Sequence, residues 1–392
     1  MPPTAASTAP RSTTQQPGAA QPRIPLREDL RGGTPYGAPQ LDVPVRLNTN
    51  ENSYDVPAEV VDAVVEAVRA EASGLNRYPD REFGALRADL AAYLGHGLTA
   101  DQVWAGNGSN EVLQHLVQAF GGPGRTALGF TPAYSMHPII SRGMGTVWLD
   151  GRRGGTARGG FDLDPDLAAA QVREHRPDVV FLVSPNNPTG TSLSLDVVEA
   201  VYSECPGIVV VDEAYAEFAR PGTPSALTLL PGRERLVVTR TMSKAFALAG
   251  ARLGYLAADR ELCDALRLVR LPYHLSSLTQ AAASAALAHA GVLLSTVEAI
   301  KGQRDRIVTE VAALGLIPVP SDANFVLFGG LDDAAAVWRG LLDHGVLIRD
   351  VGIPHHLRVT AGTPAETTAF LEALAAVLDP AGTPKDVPKE QA

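Results

Sequence analysis

"GIVVVDEAYAEF", residues 207–218, holds four β-branched apolar residues in a row and ends them on a carboxylate, Asp212. No polar position interrupts the run. It therefore reads as a strand buried on both faces of a parallel sheet, not as a half-exposed strand. Two similar runs flank it: "DVVFLVSPNNPTG" at 178–190 and "RLVVTRTMSKAF" at 235–246. They recur about every thirty residues with helical or loop material between, as strand–crossover–strand units require. In such sheets ligands sit beyond the carboxyl ends of the strands. Asn186, Asn187, Asp212, Tyr215, Ser243 and Lys244 are then expected at one crevice.

Helical periodicity surrounds these runs at 57–72, 82–95, 110–122, 194–205 and 278–290. After about residue 290 the texture changes. One long helix is predicted over 292–314, followed by the strand-like "ANFVLFGGL", a helix over 334–344, "VLIRDVG", "HLRVTAG" and a last helix from 364. This reads as an α+β unit with an antiparallel sheet. The expected organisation is a disordered arm (1–25), an N-terminal segment (26–55), a large domain (56–290), a small C-terminal α+β domain (291–380) and a disordered tail (381–392). The arm and tail are rich in Pro, Ala, Ser and Thr or in Pro and charge, with no apolar run.

The chain is long enough for a large core, and 45% hydrophobic with 19% charged residues suits an α/β enzyme. A formal net charge of −10 argues against nucleic-acid or anionic-membrane partners, so an anionic ligand needs a local arginine cluster. Two cysteines, Cys205 and Cys263, offer neither a disulfide framework nor zinc spacing. They read as reduced, packed thiols of a cytoplasmic protein, and no metal is expected.

A lone lysine in small surroundings is ordinarily a surface residue. Here Lys244 stands with Asp212, Asn187 and Tyr215, and Arg252 follows it by eight positions. A lysine attacks a carbonyl only when unprotonated, and desolvation or a nearby cation makes it so. As a Schiff-base lysine it suits pyridoxal 5'-phosphate (PLP). Asp212 can keep the pyridine nitrogen protonated so that the ring accepts electrons. Asn187 and Tyr215 can donate to the phenolic oxygen, and Tyr134 of "TPAYSMHP" can stack on the ring. "GNGSNE" at 106–111 precedes an apolar helix, whose free amides and dipole suit a phosphate. Ser243 and Arg252 can complete that cradle. Each signal is modest alone: an N-cap at Ser109, a turn at NNPTG, a surface Arg252.

Together "SPNNPTG", "VVVDEAYAEF" and "TMSKAFALAGARLGY" resemble, in order, the cofactor motifs of fold-type I PLP-dependent aminotransferases, and the likeness runs from about 26 to 377. Within that superfamily the chain is similar to the histidinol-phosphate aminotransferases, through "LRGGTPYGAPQLDVPVRLNTNEN", "NRYPD", "NGSNEVLQHLVQAFGGPG", "SDANFVLF" and "LIRDVG…LRVTAGTP". The resemblance implies an α/β fold: a large domain with a mostly parallel seven-stranded sheet flanked by helices, plus the smaller α+β domain. It implies transamination between histidinol phosphate and 2-oxoglutarate in histidine biosynthesis, with PLP as cofactor. Lys244 is the implied Schiff-base and proton-shuttling residue, and Asp212 the partner of the pyridine nitrogen. Ser109, Asn110, Thr241, Ser243 and Arg252 are the implied phosphate ligands. Tyr78 of "RYPD" is implied to reach the phosphate of a partner subunit, which makes the expected enzyme a homodimer. Arg358 and Arg349 are implied to bind the carboxylate or phosphate of the substrates. Tyr36 and Tyr273 resemble substrate-contacting tyrosines, Tyr273 being a further candidate to cross the dimer.

The chain departs from that pattern at Ser53, where relatives commonly carry proline, and in the short segment "DVGIPHHL", which leaves the aim of Arg349 open. His355 and His356 in that segment read as solvated loop histidines. Other readings on the same scaffold are an aromatic amino-acid aminotransferase and an amino-acid-phosphate decarboxylase. A ligand-sensing domain of a regulator would need an added DNA-binding module.

Overall fold

The three apolar runs form adjacent parallel strands at the centre of a seven-stranded sheet, in a computed structural model that describes residues 24–32, 35–154 and 160–379. The sheet comprises β2 (Val103–Gly106), β3 (Thr126–Thr131), β4 (Val147–Arg152), β5 (Val179–Val183), β6 (Ile208–Asp212), β7 (Leu236–Thr241) and β8 (Gly254–Ala258); β1 (Val45–Arg46) lies elsewhere. Its order is β2-β8-β7-β6-β5-β3-β4, and only β8 runs against the others. Every residue of β5, β6 and β7 is buried. Burying each such valine side chain contributes about 1.5–3 kcal/mol, which is why the runs carry no polar alternation.

Register places the chemistry. Val183 pairs with Asp212, and Asp212 with Thr239, so β5, β6 and β7 end side by side. The loops leaving those ends carry Asn187, Tyr215 and Lys244. Because β8 is antiparallel, its first residue, Gly254, lies at the same end, and Arg252 just before it arrives there too.

Five helices stand where the periodicity placed them, α1 (Ala58–Ala72), α2 (Gly84–Leu94), α3 (Ser109–Phe120), α6 (Leu195–Glu204) and α8 (Ser277–Ala288), while α4 (Met136–Gly143), α5 (Pro165–His175) and α7 (Arg260–Leu266) were not foreseen. Sequence chemistry sets several starts. Asp164 caps α5 by accepting from Leu167 N at 3.0 Å, with Pro165 as the first helical residue. α2, α3, α4, α6 and α7 pack on the sheet, and α1 packs on α8.

The single helix expected over 292–314 is two: α9 (Ala290–Leu293) and α10 (Thr296–Ala313). At the break Ser295 Oγ donates to Val292 O at 2.6 Å, a local bond that competes with the helical ladder. The antiparallel sheet expected beyond is present: β9 (Ile317–Pro318), β10 (Phe325–Gly329) and β12 (Leu357–Thr360), ordered β12-β10-β9. α11 (Ala334–Asp343) and α12 (Pro364–Leu378) pack together, and α12 starts on a reciprocal capping box between Thr363 and Glu366. The parallel pair of β1 with β11 (Val346–Leu347) was not foreseen.

The chain divides into Met1–Pro39 and Gln40–Ala392. In the first unit Glu28–Leu30 make a 3-10 turn and Tyr36 is half exposed. All but the last two residues of the expected arm, and the whole expected tail, lie outside the described residues. Among the described residues no single helix is long and apolar enough to cross a membrane.

Candidate active site

A cavity of about 390 Å³ opens at the carboxyl ends of β5, β6 and β7, within the size range of small-ligand sites. Ser109, Asn110, Tyr134, Asn187, Asp212, Tyr215, Thr241, Ser243, Lys244 and Arg252 all line it. Ten residues from six separate stretches of the chain thus converge.

One wall is built to receive an anion. The N-cap of α3 is Gly108, at φ 83, with no side-chain cap, so Ser109 is the first helical residue and not the cap. A β-carbon on Gly108 would collide with the Arg252 guanidinium, and one on Gly254 would fall on the Ser109 amide nitrogen. Glycine at these two positions lets the helix terminus, the arginine and the start of β8 close on one spot. Arg252, itself in the left-handed region at φ 57, is 3.5 Å from Ser243 Oγ and donates to Ala249 O at 3.0 Å. Thr241 Oγ1 accepts from Ser243 N at 3.1 Å and donates to Leu253 O at 3.3 Å, pinning the turn between β7 and β8.

The opposite end is acidic. Asp212 is 2% exposed, and its Oδ2 meets His137 Nε2 at 3.2 Å while Oδ1 accepts from Ala214 N at 3.2 Å. His137 is 1% exposed and stacks on Phe181, with ring centres 4.5 Å apart, and Tyr134 meets its edge. Tyr134 also donates to Asn110 Oδ1 at 3.2 Å. His137 is the second residue of α4, three positions after Tyr134, which precedes the helix. The sequence reading did not single it out.

Lys244 Nζ donates to the Thr49 carbonyl at 3.0 Å. Burial, then the positive charge of Arg358 and more weakly of Arg252, lower its pKa to about 8 from an ordinary value near 10.5, against the opposing pull of Glu51. The lysine is therefore neutral in a good fraction of molecules at mildly basic pH.

Thr49 belongs to a strap, residues 47–52, that sequence reading did not resolve. Its Asn48 carbonyl accepts from Arg358 at 2.8 Å, its Thr49 carbonyl from Lys244, and its Asn50 amide donates to the Tyr215 hydroxyl at 3.0 Å. Arg358 also donates to Asn187 Oδ1 at 2.5 Å and lies over the Phe325 ring. Arg349 exchanges both backbone hydrogen bonds with Arg358, each 2.9 Å long. Residues so opposed project from the same face, and two like charges there repel unless an anion lies between them.

Tyr78, Tyr273, Arg349 and Arg358, all expected at the site, are not among the residues that line the cavity. Tyr78 is 80% exposed, and it stacks on Tyr273 with ring centres 4.4 Å apart. His356, read as a solvated loop residue, instead packs its ring over Gly329 and against the edge of Phe161. His355 remains exposed, with Nδ1 2.7 Å from Leu331 O. Among the described residues no cluster of three or more His, Cys, Asp or Glu is placed to hold a metal.

The family model for aminotransferase class I and II matches residues 43–374. The histidinol-phosphate aminotransferase of Paenarthrobacter aurescens is 66% identical over 360 residues, covering 91% of this chain and 96% of that protein. The chain belongs to the histidinol-phosphate aminotransferase family. A second member, from Frankia casuarinae, is 61% identical and covers 91% of this chain and 90% of its own length. The crystal structure of the Sinorhizobium meliloti histidinol-phosphate aminotransferase, in complex with pyridoxal 5'-phosphate, superposes with a TM-score of 0.76 at 26% identity, over 86% of this chain and 92% of that one. The fold of the histidinol-phosphate aminotransferases is thus the α/β fold seen here.

Proposed function

We propose that this chain is a PLP-dependent transaminase that passes an amino group between L-glutamate and imidazole-acetol phosphate, making L-histidinol phosphate and 2-oxoglutarate in histidine biosynthesis. The observation that carries this reading is the pairing of Arg349 with Arg358 beside Asn187, in an enzyme of this family. Planar guanidiniums grip a carboxylate or a phosphate bidentately, so one pair serves both substrates in turn.

The residues present fit PLP. Gly108 and Gly254 let Arg252 and the first α3 amide close on one spot, where with Ser243 they would hold a phosphate. Bound there, PLP would supply a ring that takes up the electron pair left when a substrate loses its Cα proton. Asp212, backed by His137, would hold the pyridine nitrogen protonated. Asn187 and Tyr215 would donate to the ring oxygen, and Tyr134 would cover the ring face. Lys244 Nζ would hold the cofactor before substrate arrives and afterwards carry the proton to and from substrate Cα. Residues 56–290 would carry the cofactor and 291–380 the substrate arginines. A homodimer, with exposed Tyr78 and Tyr273 entering the partner's site, would complete it. The two free, buried cysteines suit a cytoplasmic location.

The aromatic amino-acid reading would need a carboxylate where this one has a phosphate. The test is the absorbance of the PLP-loaded protein titrated with histidinol phosphate and, separately, with phenylalanine. The proposal expects histidinol phosphate to convert the cofactor at far lower concentration; the reverse order would overturn it.

A further inference from the structure

Tyr215 accepts a hydrogen bond at its hydroxyl oxygen from Asn50 Nδ2, 3.0 Å away. That amide is held one way round. Asn50 Oδ1 accepts from Thr360 Oγ1 at 3.0 Å, and the same Oγ1 accepts from the Asn50 backbone N–H at 3.1 Å. A threonine hydroxyl has one hydrogen to give, and Asn50 Oδ1 receives it. The amino group of Asn50 therefore faces Tyr215 and can only donate. A phenol met by such a group gives its own hydrogen in another direction. Asn50 and Thr360 are 1% and 2% exposed, and the Asn50 carbonyl accepts from Asn324 Nδ2 at 3.1 Å, so water does not compete and the residue cannot drift. Asn50 also sits at φ 57, a conformation that asparagine accepts more readily than most residues.

We propose that Asn50 and Thr360 are positioning residues that fix Tyr215 as a hydrogen-bond donor into the cavity, toward the ring oxygen of the cofactor. Resting on the placement of Tyr215 proposed above, donation runs one way: Thr360 to Asn50, Asn50 to Tyr215, Tyr215 to the ligand. Two residues earlier on β12, Arg358 does the same for Asn187. Its guanidinium occupies Asn187 Oδ1 and leaves the amino group for the cavity. Residues two apart on a strand share a face, so one face of β12 sets the polarity of both groups.

The experiment follows the visible absorbance of the PLP-loaded protein against pH, in the wild type and in Tyr215→Phe, Asn50→Gly, Thr360→Val and the Asn50→Gly/Tyr215→Phe double variant. Glycine suits the left-handed backbone at 50, and valine matches threonine in shape, so either single variant can report if the other fails to fold. A lost donor leaves the ring oxygen more basic, so the midpoint moves to higher pH. Tyr215→Phe is expected to raise it most. Asn50→Gly and Thr360→Val are expected to raise it by about half a pH unit to one unit. In the Tyr215→Phe background Asn50→Gly should add nothing. If Tyr215→Phe moves the midpoint and neither single variant does, the positioning role is overturned. The same holds if Asn50→Gly shifts it equally with and without the phenol hydroxyl. If Tyr215→Phe itself leaves the midpoint unmoved, the placement of Tyr215 falls and takes this role with it.

Discussion

His137 Nε2 and Asp212 Oδ2 lie 3.2 Å apart with both side chains almost wholly shut away from solvent. A buried carboxylate without a partner is costly, and the histidine supplies one. His137→Phe keeps an aromatic ring over Phe181 but removes the donor. Stability should fall by about 1–3 kcal/mol in urea denaturation, and turnover with it. An unchanged midpoint would show that the pair contributes nothing to folding.

Lys244→Ala should abolish turnover and the absorbance of the lysine-linked cofactor; full activity would end the mechanism. The lowered pKa of about 8 predicts a pH dependence in the cofactor-free protein. Below pH 8 the lysine is charged in both folded and unfolded chains and carries the full cost of burial. Between about 8 and 10.5 the unfolded chain binds more protons, so this group makes stability rise with pH. The rate at which added PLP is captured should rise with a midpoint near 8. Arg358→Gln should move that midpoint up and Glu51→Gln should move it down; opposite shifts would refute the assignment of causes.

Arg349 and Arg358 should separate the two substrates in steady-state kinetics. Arg358→Gln should lower kcat/KM for glutamate and for histidinol phosphate by roughly 10–100-fold each, the size of a charged hydrogen bond. Arg349→Gln should cost more for histidinol phosphate than for glutamate, because a phosphate presents more oxygens to a second guanidinium. Equal losses would deny Arg349 a role in discrimination.

Beneath the site, Arg240 donates to Glu213 Oε2 at 2.7 Å and to Glu217 Oε1 at 3.0 Å, all three side chains being buried. Burial alone would lower the Arg240 pKa, but the two carboxylates more than reverse this. Arg240→Met would leave both carboxylates uncompensated. Thermal unfolding should register a loss of about 3–5 kcal/mol; a loss under 1 kcal/mol would contradict the picture.

If Tyr78 serves the neighbouring subunit, mixing inactive Tyr78→Ala and Lys244→Ala chains should restore activity, since each mixed dimer then holds one complete site. Mixtures that stay inactive while forming mixed dimers would exclude that arrangement.

Much of this was legible beforehand. Ile208–Asp212 announces a buried strand because apolar β-branched residues without alternation have few other uses, and its terminal carboxylate needs a ligand or partner. The strap was not legible. Thr360 and Asn50 are 310 residues apart in the chain, and the groups that Asn48 and Thr49 offer are backbone carbonyls, which every residue has. His137 hid for a different reason: a histidine among apolar neighbours looks like core until its partner is seen. The break at Leu294–Ser295 escaped notice because both residues also occur inside helices.

Residues 48, 49 and 50 address Arg358, Lys244 and Tyr215 in succession. Since the first two do so through the main chain, exchanging the side chain of Thr49 leaves those bonds in place, whereas removing a single residue there would send all three to the wrong recipient. What the fold preserves in this segment is a count of residues more than a spelling, so its tolerance for substitution and its intolerance of insertion or deletion come from the same carbonyls.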